Sequence, residues 1–177
     1  MDVTSLAALR EYLRADREAN HLRRSCGYRY LKWLRITRYF YLRDQKALCL
    51  VSRVIKNLYG NRYGFAFNYK VPMGKGWRIT HNTGVVCYCE RAGSDLEFRN
   101  FVVIGEAHPG SGNPIIGDDV AFGAGCKVLG AITVGSHVII GANAVVVHDV
   151  PDHSVVAGIP ARVIRRTADR SGAPYPE

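Results

Sequence analysis

Acidic residues are scarce in this chain. Only 15 Asp and Glu stand against 24 Lys and Arg in 177 residues, a formal net charge of +9. The imbalance is local: up to Lys70 there are 15 Lys and Arg against 5 Asp and Glu, and the remainder is near neutral. Such a segment suits an acidic partner, such as phosphate groups, an anionic membrane face or nucleic acid, or simply a well-solvated helix surface. The five cysteines (Cys26, Cys49, Cys87, Cys89, Cys126) are odd in number and lack CxxC or zinc-ribbon spacing. That argues against a disulfide framework and for reduced thiols in a cytoplasmic protein. No apolar run approaches the length of a membrane span. The opening MDVTSLAALREYLRADRE is charged and helix-like, without the apolar core of a secretion signal. Core material is not lacking: with 47% hydrophobic and 22% charged residues, the chain can fill one domain with a small appendage.

Three regions separate by pattern. Leu6, Leu9, Leu13 and Ala15 predict a short amphipathic helix over 5–20, with Thr4 or Ser5 as N-cap. Tyr30, Leu31, Leu34, Tyr41, Leu42, Leu48, Val51 and Ile55 predict a second helical stretch from Tyr28 to about Tyr59, ending near Gly60. Together they read as an N-terminal α-helical hairpin over 1–60. Its interleaved Arg, Tyr and Trp33 are explained by helix packing more simply than by base stacking, so nucleic acid is not an expected partner.

After Gly60 glycine and β-branched residues take over, and a repeat appears. Every sixth residue from Ile116 is apolar: Ile116, Phe122, Val128, Val134, Ile140, Val146. Four residues after each stand Val120, Cys126, Ile132, Val138, Ala144 and Val150, all apolar as well. Backwards, the frame catches Phe98 and Ile104, with Leu96 and Val102 in the second slot. Ile79 and Val85 fit only after a one-residue slip near 90–95. A helix repeats near 3.6 and a strand near 2, so a period of six marks a triangular coil with six residues to a side. The fold expected is mainly β, a parallel β-helix of about five coils over 61–166, with glycines turning the corners. A disordered tail is expected over 167–177.

The stretch IIGDDVAFGAGCKVLGAITVGSHVIIGANAVVVHDVPDHSVVAGIPARVI strongly resembles the C-terminal coils of hexapeptide-repeat acyltransferases. It is most similar to the branch of serine O-acetyltransferases and surface-polysaccharide O-acetyltransferases. ITHNTGVV, around His81, resembles that branch's DHGTGVV motif, which carries the catalytic histidine. The resemblance implies a left-handed β-helix, a homotrimer, and acetyl-CoA bound in the groove between neighbouring subunits, with no metal required. It implies His81 as general base for direct acetyl transfer to an acceptor hydroxyl, a step needing no covalent enzyme intermediate. Imidazole is the side chain that titrates near neutrality, which suits the role.

Further roles follow from the matched positions. Small residues Gly105, Ala124 and Ala142 would let the pantetheine arm lie against the coil, and Arg162 would meet the coenzyme phosphates. The loop GEAHPGSGN would line the acceptor pocket, with His108 on it as the alternative base. Three polar groups of the serine site are missing: Ala66 stands where an aspartate orients the histidine, Thr80 replaces an acid, and Asn113 replaces a second histidine. Asn68, Glu106 or a backbone carbonyl are the candidate substitute acceptors for His81, and Asn68, Glu106 and Asn113 form the expected acceptor pocket. His137, His148 and His153 read as corner or surface residues, and the CYC at 87–89 as a same-side pair, inward or outward.

These departures favour a changed acceptor. The leading expectation is a trimeric O-acetyltransferase acting on a sugar in surface-polysaccharide biosynthesis. Its basic helices would hold it peripherally at the inner face of the membrane. The alternatives are a serine O-acetyltransferase of cysteine biosynthesis and a non-catalytic trimeric scaffold.

Overall fold

A computed structural model describes residues 2–21, 25–81 and 83–166; the expected tail at 167–177 lies outside them. Three helices come first. α1 (Leu6–Ala19) begins at Ser5, whose hydroxyl accepts the Ala8 N–H at 3.1 Å. It buries Leu9, Tyr12 and Asp16 and leaves Leu6 half exposed. α2 (Cys26–Leu42) is capped in the same way by Ser25, which accepts from Tyr28 N–H at 3.1 Å. The second stretch is not one helix: it breaks after Leu42 and resumes as α3 (Lys46–Tyr63). Asp44 takes a left-handed φ of 52°, and the Gln45 N–H bonds back to the Phe40 carbonyl at 3.0 Å, which reverses the chain. The hairpin is therefore α2–α3, with α1 against α2.

Among the described residues fourteen short strands follow, wound into three sheets that are parallel except at the last strand. Sheet A holds β1 (Phe65–Phe67), β3 (Val85–Cys87), β6 (Val102–Gly105), β9 (Lys127–Leu129) and β12 (Val145–Val146). Sheet B holds β4 (Arg91–Ala92), β7 (Ile115–Ile116) and β10 (Thr133–Val134). Sheet C holds β2 (Arg78–Ile79), β5 (Glu97–Phe98), β8 (Ala121–Phe122), β11 (Ile139–Ile140) and β13 (Ser154–Gly158), closed by antiparallel β14 (Ala161–Arg166). The chain passes through A, B and C in turn as a left-handed β-helix of five turns, with isolated bridges at Met73 and Val150 standing in for sheet B in the first and last. Phe122 pairs with Ile140, eighteen residues on, as six residues per side require. Phe98 pairs with Phe122, twenty-four on, because the loop after Gly105 is inserted between them. Ile79 pairs with Phe98, nineteen on, which is the slip in the repeat.

The first apolar column is buried from Phe98 to Val146, and the second is buried throughout except for the half-buried Ile132. Cys87 and Cys89 both point inward. The wide base of the prism is aromatic: Phe67, Trp77, Phe98 and Phe122 touch in series, the last two stacked at 5.1 Å. Glycine turns some corners and also serves a second purpose. Gly117 and Gly123 do not take left-handed angles; a Cβ on either would lie 2.6–2.7 Å from backbone of the next coil. They permit close stacking of coils. The left-handed corners are shared: Gly76, Asp95, Asp119, His137 and His153 take them on one edge, and Gly84, Phe101, Gly125 and Asn143 on another.

The helices are stitched to the first coil. The Phe67 N–H donates to the Tyr30 hydroxyl at 3.0 Å, and Asn20 bonds the Trp77 carbonyl and the Ile79 N–H at 2.7 and 3.1 Å. Gly60 lets α3 touch β1: a Cβ there would lie 2.6 Å from the Phe65 carbonyl oxygen. Gly60→Ala should therefore cost about 1–3 kcal/mol of stability by overpacking, readable as a lowered urea midpoint at unchanged slope.

Candidate active site

His81 lies two residues beyond β2, on the edge where sheet C passes to sheet A, with its side chain exposed. Pairing is held through Thr80, whose N–H reaches the Phe98 carbonyl at 3.0 Å. Counting on from Ile79–Phe98, Phe98–Phe122 and Phe122–Ile140, His81 heads a column of Asn100, Ala124 and Ala142. Arg162 pairs with Ala157 in the last strand of the same sheet. Strand spacing puts Ala142 about 14 Å from His81 along this edge, and the strand of Arg162 about 24 Å away. Three of the four expected coenzyme residues thus share one edge with the histidine.

The remaining candidates stand on the other edge of sheet A, where it passes to sheet B. Asn68 follows β1, and Gly105, at the end of β6, opens the loop that carries Glu106, His108 and Asn113. The loop bonds largely to itself. Glu106 accepts the Gly110 N–H at 3.1 Å, and the Ser111 hydroxyl accepts the N–H of Ala107 and of His108 at 3.0 and 3.2 Å. Asn113 donates to Glu90 at 3.3 Å, and Asn68 accepts the Lys70 N–H at 3.0 Å. From Asn100 to Glu106 the chain crosses the full side of the triangle, roughly 15–20 Å. Asn68 and Glu106 therefore cannot orient His81 of their own chain, as the sequence reading supposed. Gly105 likewise does not join Ala124 and Ala142.

Asn100 went unremarked in the sequence. It lies one coil above His81, and its position follows only from counting register across the repeat slip. Beyond it, Glu97 is shared by Arg78 at 3.5 Å and Arg99 at 4.0 Å on the outer face of sheet C. Sheet A differs: its outer column reads Ala66, Val86, Val103, Lys127 and Val145, flanked by exposed Phe101, Tyr88 and Val147. An apolar face between the two halves of a candidate site is a feature of self-association.

Two buried cysteines are held as thiols. Burial pushes the Cys126 thiol up to about 12, and a hydrogen bond with Cys89, together with burial, raises that of Cys87. The histidines of the corner ladder pair elsewhere: His137 Nδ1 lies 3.0 Å from Asp119, and its ring stacks on His153 at 4.7 Å. Among the described residues no three His, Cys, Asp or Glu side chains converge as metal ligands, and no helix is long and apolar enough to cross a membrane.

Known proteins agree on one relationship. Residues 113–148 match the model of the bacterial transferase hexapeptide family (six repeats). A serine acetyltransferase of Bacillus pumilus is 38% identical over 133 residues, covering 73% of this chain and 60% of that protein. One from Helicobacter pylori is 37% identical over 123 residues, covering 68% of this chain and 71% of that one. The crystal structure of Neisseria gonorrhoeae serine acetyltransferase superposes with a TM-score of 0.80 at 27% identity, over 96% of this chain and 71% of that one. The chain spans 55–60% of the length of several relatives, which carry sequence beyond the match. These findings overturn the expectation of a sugar acceptor in polysaccharide biosynthesis, and nothing in them supports a membrane surface as partner. Part of the basic charge that suggested one is internal: Arg35 and Arg38 are buried against Asp16 and Asp2. By sequence and by fold, the chain belongs to the serine acetyltransferase family of hexapeptide-repeat transferases.

Proposed function

We propose that this chain is a serine O-acetyltransferase that uses acetyl-CoA and works as a homotrimer. The observation that carries the reading is the edge of sheet C, where the family's histidine heads a column of small residues that ends beside a basic strand. Acetyl-CoA supplies an activated acyl group as its thioester. Ala124 and Ala142 leave room for its arm along the coil, and Arg162 meets its phosphates. His81 takes the proton of the serine hydroxyl as that oxygen bonds to the thioester carbonyl carbon. The carbon–sulfur bond then breaks, and the imidazolium returns the proton to the departing sulfur.

One chain carries only half of this site. Turning the apolar face of sheet A toward a three-fold axis brings the His81 edge of each chain against the loop edge of the next. Gly105, Glu106, His108 and Asn113 then reach the groove from the neighbour. The acceptor pocket and the coenzyme groove are both built between subunits. The reading accommodates Ala66, Thr80 and Asn113, because Asn100 and the neighbour's loop can supply polar partners instead.

The test is coenzyme release by the full chain with free serine, with free monosaccharides and with no acceptor. Serine-dependent release of free coenzyme, with O-acetylserine as product, is the expected result. Release with monosaccharides alone would reject the serine reading, and no release with any acceptor would favour a scaffold.

A further inference from the structure

Asn100 interrupts a column of small side chains. From the first coil onward, the edge of sheet C reads His81, Asn100, Ala124 and Ala142. Strand spacing sets Asn100 about 5 Å from His81 and Ala124 about 10 Å from it. Apart from the histidine, its amide is the one side chain of this column that can donate a hydrogen bond. The backbone beneath it is held: the Asn100 carbonyl accepts the Gly125 N–H at 2.8 Å, and Phe101 turns the corner with a left-handed φ of 59°. The side-chain amide itself is half-buried and makes no hydrogen bond among the described residues.

The corners of the first two coils differ in length. Five residues separate Ile79 from Val85 and three separate Phe98 from Val102, although both pairs are in register from coil to coil. The corner carrying His81 is therefore two residues longer than the one carrying Asn100. In keeping with that, His81 is exposed where Asn100 is half-buried. Base and amide are offset outward as well as along the edge, which leaves a step between them.

Acyl transfer needs a donor in that step. As the acceptor oxygen bonds to the thioester carbon, the π pair of the carbonyl moves onto its oxygen, which becomes an oxyanion. The attacking oxygen is within about 3 Å of the imidazole that takes its proton. The arm of the coenzyme arrives from the opposite direction, along Ala142 and Ala124. The carbonyl between them falls on the coil of Asn100. A developing oxyanion is stabilised by a fixed N–H and repelled by a carboxylate; the column offers an amide and no acid.

We propose that Asn100 is a catalytic residue whose side-chain N–H donates to the acetyl carbonyl oxygen and stabilises the oxyanion formed there. The role rests on acetyl-CoA lying along this edge, as proposed above, and is independent of which hydroxyl accepts the acetyl group. No bond to Asn100 forms or breaks. When the carbon–sulfur bond opens, the electron pair on oxygen re-forms the carbonyl, and the proton held by His81 goes to sulfur.

Two substitutions separate donation from the other uses of an amide. Asn100→Ala removes the group, whereas Asn100→Asp leaves a carboxylate that is ionised at neutral pH and accepts hydrogen bonds without donating them. Isotope-edited infrared spectra of acetyl-CoA labelled with ¹³C at the carbonyl, bound to the wild type and to each variant, test the proposal beside serine-dependent transfer. The expected result is a carbonyl stretch at lower frequency in the wild type than in either variant. With it, kcat should fall by about 10²–10³-fold in both, the usual effect of losing one oxyanion donor, at nearly unchanged KM for acetyl-CoA. Equal stretching frequencies in the three proteins would overturn the role, whatever the rates. Activity retained by Asn100→Asp would also overturn it, because the amide would then be an acceptor that orients His81. So would a loss confined to the KM for serine, which would assign the amide to the acceptor. If the serine reading alone fails, the wild type keeps the lowered stretch but releases no coenzyme with serine. Failure of the wild type to bind acetyl-CoA would overturn both. The coil bond at this position uses the backbone carbonyl, so both variants should keep the wild-type urea midpoint; if Asn100→Ala misfolds, Asn100→Asp carries the comparison.

Discussion

His81→Ala is expected to lower serine-dependent acetyl transfer by about 10²–10⁴-fold, the usual contribution of a positioned general base. The loss should fall on kcat and leave binding of the coenzyme nearly unchanged. His81 heads the column while Ala124, Ala142 and Arg162 lie farther along the same edge. Its exposed ring makes no hydrogen bond among the described residues, so little folding stability is lost with it. His108→Ala is the control. A loss of that size there, with His81→Ala nearly silent, would move the base to the loop and contradict the assignment.

Asp16→Ala should cost about 3–5 kcal/mol of stability, the range for stranding one partner of a buried ion pair. Asp16 and Arg35 are both wholly buried, with two contacts of 2.8 and 3.1 Å, and Asp16 also accepts the Trp77 N–H at 2.9 Å. The Arg35 guanidinium is sandwiched at 4.6 Å from the Trp77 ring and 5.2 Å from Tyr12. Without the carboxylate, a desolvated cation faces aromatic carbon, and α1, α2 and the first coil lose their common bond. Urea titration should show the loss. Adding Arg35→Met to Asp16→Ala should recover much of it, because the stranded charge goes as well. Equal midpoints for the wild type and the single variant would show that the pair holds nothing together.

These two sites differ in how far the sequence displays them. His81 sits inside a contiguous motif, ITHNTGVV, and the residues around it are its own chain neighbours. Asp16 and Arg35 lie nineteen residues apart with a helix break between them, and nothing local distinguishes Asp16 from a surface acid on an amphipathic helix. The spacing of α1 instead suggested Leu6 and Ala15 for the inner face, yet Leu6 stays half exposed. In α3 the apolar spacing was real but pointed outward, because periodicity reports that a helix has two faces and not which one meets the core. The acceptor also went astray. Ala66, Thr80 and Asn113 were read as a changed substrate, whereas residues missing from one chain's edge can be replaced by a neighbour's.

The hexapeptide columns alone were enough to determine the prism, its core and the loop insertion. Each coil repeats the same local geometry, and every inward side chain is six residues from the next. Only the tertiary structure decided which residues share an edge, since that depends on register summed over coils of unequal length. It alone separated His81 from the Gly105–Asn113 loop by a full side of the triangle, reversed α3, and buried an arginine where composition suggested only surface charge.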